Sequence, residues 1–438
     1  MSAKTLFVGI DVSSTSLDVC FMDQEERKIA PIHTYPNLPE GFKLLRQDAL
    51  AFSRLLGKRT PIVFGFESTG NWHRNLEKFL RARKSKRFTI RIINPYRIKE
   101  FRKSHFKLSK TDRIDSFMIA KFLIAFPEPS SPYLSPQQLS LRSLTRFRRT
   151  LVEERTRYIN RLRKNLRLVY PGYKKIVGEK LTTRFLSFIS TYPFPEDVKD
   201  SPIPSSFRKF LPLFSILQDK ESISFLRNEI KWTAERIISL QKQIESIEHE
   251  ITRIMDTYYP DHILFSIPGI GKITVATIIG EIGGSVDRFP TAKHFIGYIG
   301  LYPVVYQSGK SKVFFKMTWK GNKWLKMAFI LATASARRNN PQMRNFYNRL
   351  RARGKSKKAA GGALARKLAC LVYAILASGK KWDENIAFKS IKQAFEMSIQ
   401  NFPVVENDII KTGRPTIDFS TRNTGFSPKG NSGSTRLT

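Results

Sequence analysis

Ten positions between Ile223 and Ile254 recur at alternating steps of three and four residues: Ile223, Leu226, Ile230, Thr233, Ile237, Leu240, Ile244, Ile247, Ile251 and Ile254. A helix of 3.6 residues per turn puts such a series on one stripe, and nine of the ten are apolar. The segment reads as a long helix whose seam must be covered, in the manner of a coiled coil. Residues 219–254 hold seven acidic and six basic residues, so this stretch is near neutral. The chain of 438 residues is not: 76 Lys and Arg against 36 Asp and Glu leave a net charge of +40, all of it elsewhere. A surface of that sign attracts polyanions, DNA or RNA first among them. Gln137–Tyr170 reads as a second long helix, closed by Pro171-Gly172, with ten basic and two acidic residues between Arg142 and Arg167. The two helices look like a protruding arm, one part suited to a polyanion and the seam suited to a second copy of the chain.

Before the arm, residues 4 to 125 alternate strand and helix signals. Apolar or alternating runs occupy Thr5–Val12, Ser16–Met22, Pro61–Phe66 and Phe88–Ile93, and helical spacing fills Glu40–Leu56, Trp72–Ala82 and Asp112–Phe126. The first two runs are close enough for a hairpin, so the expectation is an α/β domain with a mixed sheet. Pro127–Pro136 is a linker, and residues 171–215, rich in Pro and Phe, give no regular pattern. Residues 261–378 form a second globular region with helices at Lys323–Arg338 and Ala363–Leu376, and the Gly/Ser/Asn-rich end from Thr412 reads as disordered. No run approaches 18 apolar residues, which argues against a membrane span, and the N-terminus has no signal-peptide pattern. Cys20 and Cys370 are too few for a disulfide framework and read as small buried residues in a reducing cytoplasm.

Four carboxylates stand out: Asp11 in LFVGIDVSS, Glu67 in IVFGFESTG, and Asp112 with Asp115 in KTDRIDS. Each has a plain structural reading. Asp11 could cap a turn, and the others could sit at helix N-termini. Taken together, carboxylates at the ends of apolar strands in a basic chain point to a hard cation, Mg²⁺ or Mn²⁺, and to phosphodiester chemistry. Lys110 and Arg113 flank the last pair and could contact phosphate. Pro268-Gly269-Ile270-Gly271 before an apolar helix resembles a helix-hairpin-helix turn, whose amides at Gly269 and Gly271 could hold a phosphate. An ordinary tight turn fits the same residues. Lys312–Lys326, with Phe314, Phe315, Trp319 and Trp324, could stack on bases, although the Phe pair reads as core.

GIDVSSTSLDV, FESTGNW, IINPYRIKEF and KTDRIDSFMIAKF resemble the DEDD domain of the insertion-sequence transposases described as bridge-RNA-guided recombinases, the insertion sequence 110 family. FSIPGIGKITVATIIGEIG, FIGYIGLYPVVYQSGKSK and WKGNKWLKMAFILATAS are similar to that family's C-terminal domain, in the same order. The resemblance implies an RNase H-like (RuvC-like) α/β domain over 1–127, a helical coiled-coil arm over 136–258, a mainly α serine transposase domain over 259–380, and an extension over 381–438. It implies Asp11, Glu67, Asp112 and Asp115 as metal ligands and Ser308, in Tyr306-Gln307-Ser308-Gly309, as the nucleophile, with Lys310 and Lys312 beside it. Without the resemblance, Ser308 marks only a turn between two strand-like runs. Ser116 stands where alanine is usual, and the basic extension beyond Leu350, with eight basic residues from Arg349 to Lys367, is long for the family. The implied partners are donor and target DNA, a guide RNA and further copies of the chain, as a tetramer joined through the coiled coil, with no membrane, in a prokaryotic cytoplasm at the nucleoid. Two other readings fit the residues: a junction nuclease that uses metal-activated water, and a non-catalytic RNA-binding scaffold.

Overall fold

The computed structural model describes residues 4–68, 70, 72–82, 85–105, 112–127, 133–198, 202–216, 224–308, 311–318 and 320–383. Two compact units emerge: Met1–Pro260 with Ala276–Arg288, and Asp261–Val275 with Phe289–Thr438.

The first unit opens with a mixed α/β sheet. Its elements run β1 (Leu6–Val12), β2 (Ser16–Met22), β3 (His33–Pro36), α1 (Pro39–Leu56), β4 (Ile62–Glu67), α2 (Arg74–Ala82), β5 (Phe88–Ile93), α3 (Pro95–His105) and α4 (Asp112–Ala125). The strand order is β3-β2-β1-β4-β5. The short links β1–β2 and β2–β3 give antiparallel pairs, whereas the helical crossovers give parallel pairs β1–β4 and β4–β5. Alternation assigns the faces. Leu6, Val8 and Ile10 of β1 join Leu17, Val19 and Phe21 of β2 beneath Phe42 and Leu45 of α1 and Leu76 and Leu80 of α2. The opposite face is covered by α4. A Cβ on Gly9 would lie 2.2 Å from the Ser116 carbonyl oxygen and 2.4 Å from the Ala120 nitrogen, so only glycine lets β1 and α4 meet backbone to backbone. Buried Arg91 of β5 donates to the Leu123 carbonyl (3.1 Å), fixing the other end of α4.

Next come α5 (Pro136–Val169), α6 (Lys174–Val177), α7 (Thr183–Thr191) and α8 (Leu226–Tyr258). Ser135 caps α5 in a reciprocal capping box with Gln138, with Pro136 in the first turn, which is why the proline-rich linker ends there. Most of the seam of α8 is buried: Ile230, Ile237, Leu240, Ile244, Ile251 and Ile254 are covered, Ile247 is half-buried, and Ile223 lies outside the described residues. What covers it differs from the expectation. α5 runs antiparallel to α8 in the same chain, Leu151 packing on Leu240 and Ile244 and Leu162 and Leu166 packing near Ile230 and Ile237. Arg148 pairs with Glu248 (2.5 Å), Arg161 with Glu229 (2.6 Å) and Arg236 with Glu154 (2.7 Å) across the same hairpin. The seam therefore closes within one chain. α5 carries an apolar stripe of its own, which its many arginines conceal in the sequence. The basic charge of α5 is also partly spent at home, on glutamates of α8 and on α9 (Lys272–Ile282), whose residues from Ala276 on belong to this unit. Arg142 donates to the Gly280 carbonyl (2.7 Å), and Arg146 grips the buried Glu281 with two bonds of 2.6 and 2.8 Å.

Replacing Ile237, 2% exposed, with Asp should destabilise this unit by about 3–5 kcal/mol, because an unpaired charge would enter an apolar seam. Urea unfolding of the purified chain measures it. An unchanged midpoint with loss of a multimer in light scattering would return the seam to an interface between copies. The described residues of 171–215, a stretch unreadable by periodicity, form α7 and shorter helical turns around an aromatic cluster of Tyr170, Phe185, Phe188 and Phe210 at the end of the α5–α8 hairpin.

The second unit contains α10 (Ala292–Ile299), β6 (Pro303–Ser308), β7 (Ser311–Met317), α11 (Lys323–Asn339), α12 (Pro341–Ala352) and α13 (Lys357–Ser378). β6 and β7 pair antiparallel, and the other regular elements among the described residues of this unit are helices. Helix α13 is long and apolar enough to cross a membrane, an exception to the expectation that no such stretch exists; Leu364, Leu368, Leu371, Val372 and Ile375 on it are buried in this unit. Cys20 and Cys370 are both free. Burial pushes the Cys20 thiol up to about 11.

Candidate functional site

Strand register brings two of the four acidic residues side by side. Parallel pairing sets Phe7 beside Val63, Gly9 beside Gly65 and Ile10 beside Phe66, so the next residues, Asp11 and Glu67, leave neighbouring strands on one face. That face is the one α4 covers. Both carboxylates are half-buried. Helix α4 begins at Asp112, whose side chain lies outside the described residues, as does that of Arg113. One turn on, Asp115 directly precedes Ser116, the residue that touches Gly9 two positions before Asp11. Asp115 is 8% exposed and ion-paired with Arg102 of α3, which the sequence did not single out. Lys110 lies outside the described residues. His73 follows β4 and stacks near Phe66 at 5.7 Å. Burial, with help from Arg74 and Arg142, pushes its imidazole down to about 4, so it is neutral near pH 7.

In the second unit, Ser308 is the last residue of β6 and pairs in register with Ser311 across the hairpin turn. Lys312 stands opposite Gln307. The side chains of Ser308 and Lys312, and Lys310 altogether, lie outside the described residues. Gly269 has φ +91°, and a Cβ there would meet the backbone of α11 at Ala336, 2.6 Å from its Cα. Close helix approach accounts for that glycine. Gly271 is exposed, has open space around it, and accepts from the Thr274 and Val275 amides at the start of α9.

Two family models match the chain: a DEDD IS110 transposase model, described as "Transposase", over residues 8–171, and "Transposase IS116/IS110/IS902 family" over residues 261–348. Together they span more than half of it. The chain belongs to the IS110 family of transposases. Relatives agree with this. A 43.6 kDa protein of insertion element IS110 from Streptomyces coelicolor is 26% identical, over 64% of this chain and 73% of its own. The pilin gene-inverting proteins of Moraxella lacunata and Moraxella bovis are 23% and 24% identical, each match covering 87% of this chain and 98% of the relative. The protein is accordingly an enzyme that acts on DNA.

The transposase has a further carboxylate in this region that motif reading passed over. Asp18 of β2 stands opposite Asp11 in the antiparallel register, on the same face, and accepts from the Thr34 hydroxyl at 2.5 Å. The signal was present: Leu17, Val19 and Phe21 alternate toward the core, which turns Asp18 the other way. As a donor set for a divalent cation, half-buried aspartate and glutamate oxygens on adjacent strands fit Mg²⁺ or Mn²⁺, which take hard anionic oxygen. Among the described residues, no three His, Cys, Asp or Glu side chains converge closely enough to hold an ion. Arg102 supplies the positive charge at Asp115.

Proposed function

We propose that the transposase cuts and rejoins DNA with Ser308 as nucleophile. In this reading Asp11, Glu67, Asp112 and Asp115 hold a divalent cation, Mg²⁺ or Mn²⁺, and a guide RNA of the element chooses the sites by base pairing. The observation that carries this reading is the register that sets Asp11 beside Glu67 on the α4 face of two parallel strands. Two half-buried carboxylates side by side repel, and a cation shared between them relieves that repulsion. When bound, such a cation polarises a phosphate oxygen and stabilises charge on the departing one. The strand order β3-β2-β1-β4-β5, antiparallel on one side of β1 and parallel on the other, supports an RNase H-like (RuvC-like) domain over 1–127.

Ser308 Oγ attacks phosphorus, the bond to one strand oxygen breaks, and the released strand carries away the hydroxyl. The phosphodiester energy is kept in the serine–DNA ester, and a second strand's hydroxyl reverses the step to rejoin. Relatives named for gene inversion support a reaction that rejoins what it cuts. The remaining assignments follow the same reading: an arm over 136–258, a serine transposase domain over 259–380, an extension over 381–438, phosphate contacts from Lys110, Arg113, Gly269, Gly271, Lys310 and Lys312, and a tetramer at the nucleoid. RNA recovered from the protein purified out of its own host should be one discrete species encoded beside the element. Recovery of bulk cellular RNA alone after a high-salt wash would remove the guide.

A further inference from the structure

Between Arg288 and Trp382 the sequence holds 21 Lys and Arg and no Asp or Glu. Inside that stretch α11 ends and α12 begins at a single residue, Asn340, whose side chain caps α12 by accepting from the Met343 amide at 3.2 Å and whose own amide still bonds the Ala336 carbonyl of α11. The elbow brings the last turn of α11 against the first turns of α12. Arg337, Arg338 and Arg344 therefore line one surface pocket, together with Tyr347 and Asn348. Arg344 donates to the carbonyls of Arg337 (3.1 Å) and Arg338 (2.5 Å), which holds its guanidinium at the negative end of α11. Arg337 lies over the Tyr347 ring at 4.7 Å.

All three arginines are exposed. Like charges gathered in one pocket repel one another, yet the described residues of this unit include only two acids, Asp261 and Asp383. The positive field continues along α12 to Phe346, which has Arg349 over it at 5.7 Å and Lys367 at 4.6 Å. Burial, and the charge of Arg349, hold the Lys367 ammonium below its ordinary range.

We infer that the α11–α12 elbow, with Arg337, Arg338, Arg344 and Tyr347, is a binding site for the phosphodiester backbone of a nucleic acid. Guanidinium forks match phosphate oxygens two at a time, and Arg344 is already oriented by the helix end. Tyr347 adds a hydroxyl donor and a flat face. Such contacts hold the strand without reading its sequence. The inference rests on the action of the transposase on DNA and is independent of Ser308 and of any metal.

The test measures binding in the presence of EDTA, so that failure of the cleavage chemistry leaves it intact. The full chain, an Arg337→Gln/Arg338→Gln variant and a charge-matched control, Lys43→Gln/Arg54→Gln on α1, are titrated with a random-sequence DNA duplex and with a random-sequence RNA stem-loop over a salt series. The arginine pair leaves Arg344 and its carbonyl bonds in place, and near-UV circular dichroism verifies the fold. The elbow variant should lose about ten- to a hundred-fold in affinity, and its salt slope should fall by about two. Loss on the duplex alone assigns the site to DNA, and loss on the stem-loop alone assigns it to RNA. Unchanged slopes on both, or an equal loss in the control, would overturn the inference.

Discussion

Asp11→Asn should lower strand cleavage in Mg²⁺ by about a thousand-fold or more, the scale of several kcal/mol of transition-state stabilisation. The substitution keeps the size of the side chain, removes its charge and turns one acceptor oxygen into an amide donor. Asp11 stands opposite Asp18 and next in register to Glu67, so the loss relieves repulsion among like charges. Thermal stability should therefore hold or rise slightly, which separates a lost ligand from a damaged fold. Binding of DNA and RNA should persist, because it draws on a net charge of +40 and many separate phosphate contacts. Strand exchange at the normal rate by this variant in Mg²⁺ would remove the carboxylate assignment.

How far the sequence could be read depended on the range of the interactions involved. β1, β2, β4 and β5 were legible because alternation is a local property, and the expected spans match the observed ones to within a residue. β3 was not: four residues closed by Pro36 make too short an alternation, and the strand exists because β2 offers an edge. α3 was missed as well, because Asn94-Pro95 reads as a turn before the helix shows itself. The seam on α8 announced that something must cover it but not what. The answer is written on α5, where Leu151, Leu162 and Leu166 are scattered among arginines that periodicity reads as a polyanion face. The aromatic cluster around Phe188 escaped notice because prolines break its segments into short turns that long-range ring contacts bring together.

At the site, residue type was legible and geometry was not. The carboxylates could be named from their motifs, but that Asp11 and Glu67 share a face follows only from register. Arg102 gave no signal, since its pairing with Asp115 joins two helices across a segment with no readable pattern. Gly269 gave a signal that two demands share: a phosphate-binding turn and a close helix contact ask for the same residue, and the backbone of Ala336 behind it shows that the second is met.

Ser308→Ala should abolish rejoining and reduce cleavage to background, because it removes the one oxygen that forms the protein–DNA bond in the proposed reaction. The carboxylates lie in the other unit and are untouched. Ser308 closes β6 opposite Ser311, a position where alanine keeps the backbone ladder intact, so the hairpin should still form. Binding of both nucleic acids should remain near the wild-type level, since one neutral hydroxyl contributes little against the electrostatic term. Wild-type protein on a nicked suicide substrate, which cannot be rejoined, should accumulate an adduct that survives denaturation and maps by peptide sequencing to Tyr306-Gln307-Ser308. A junction nuclease would behave otherwise: water would attack, no adduct would form, and the alanine variant would cut at the normal rate. If the adduct maps to another residue, or if the variant recombines like the wild type, Ser308 is not the nucleophile. The hairpin would then be a structural element of the second unit, and cleavage would have to be explained from the acidic face alone.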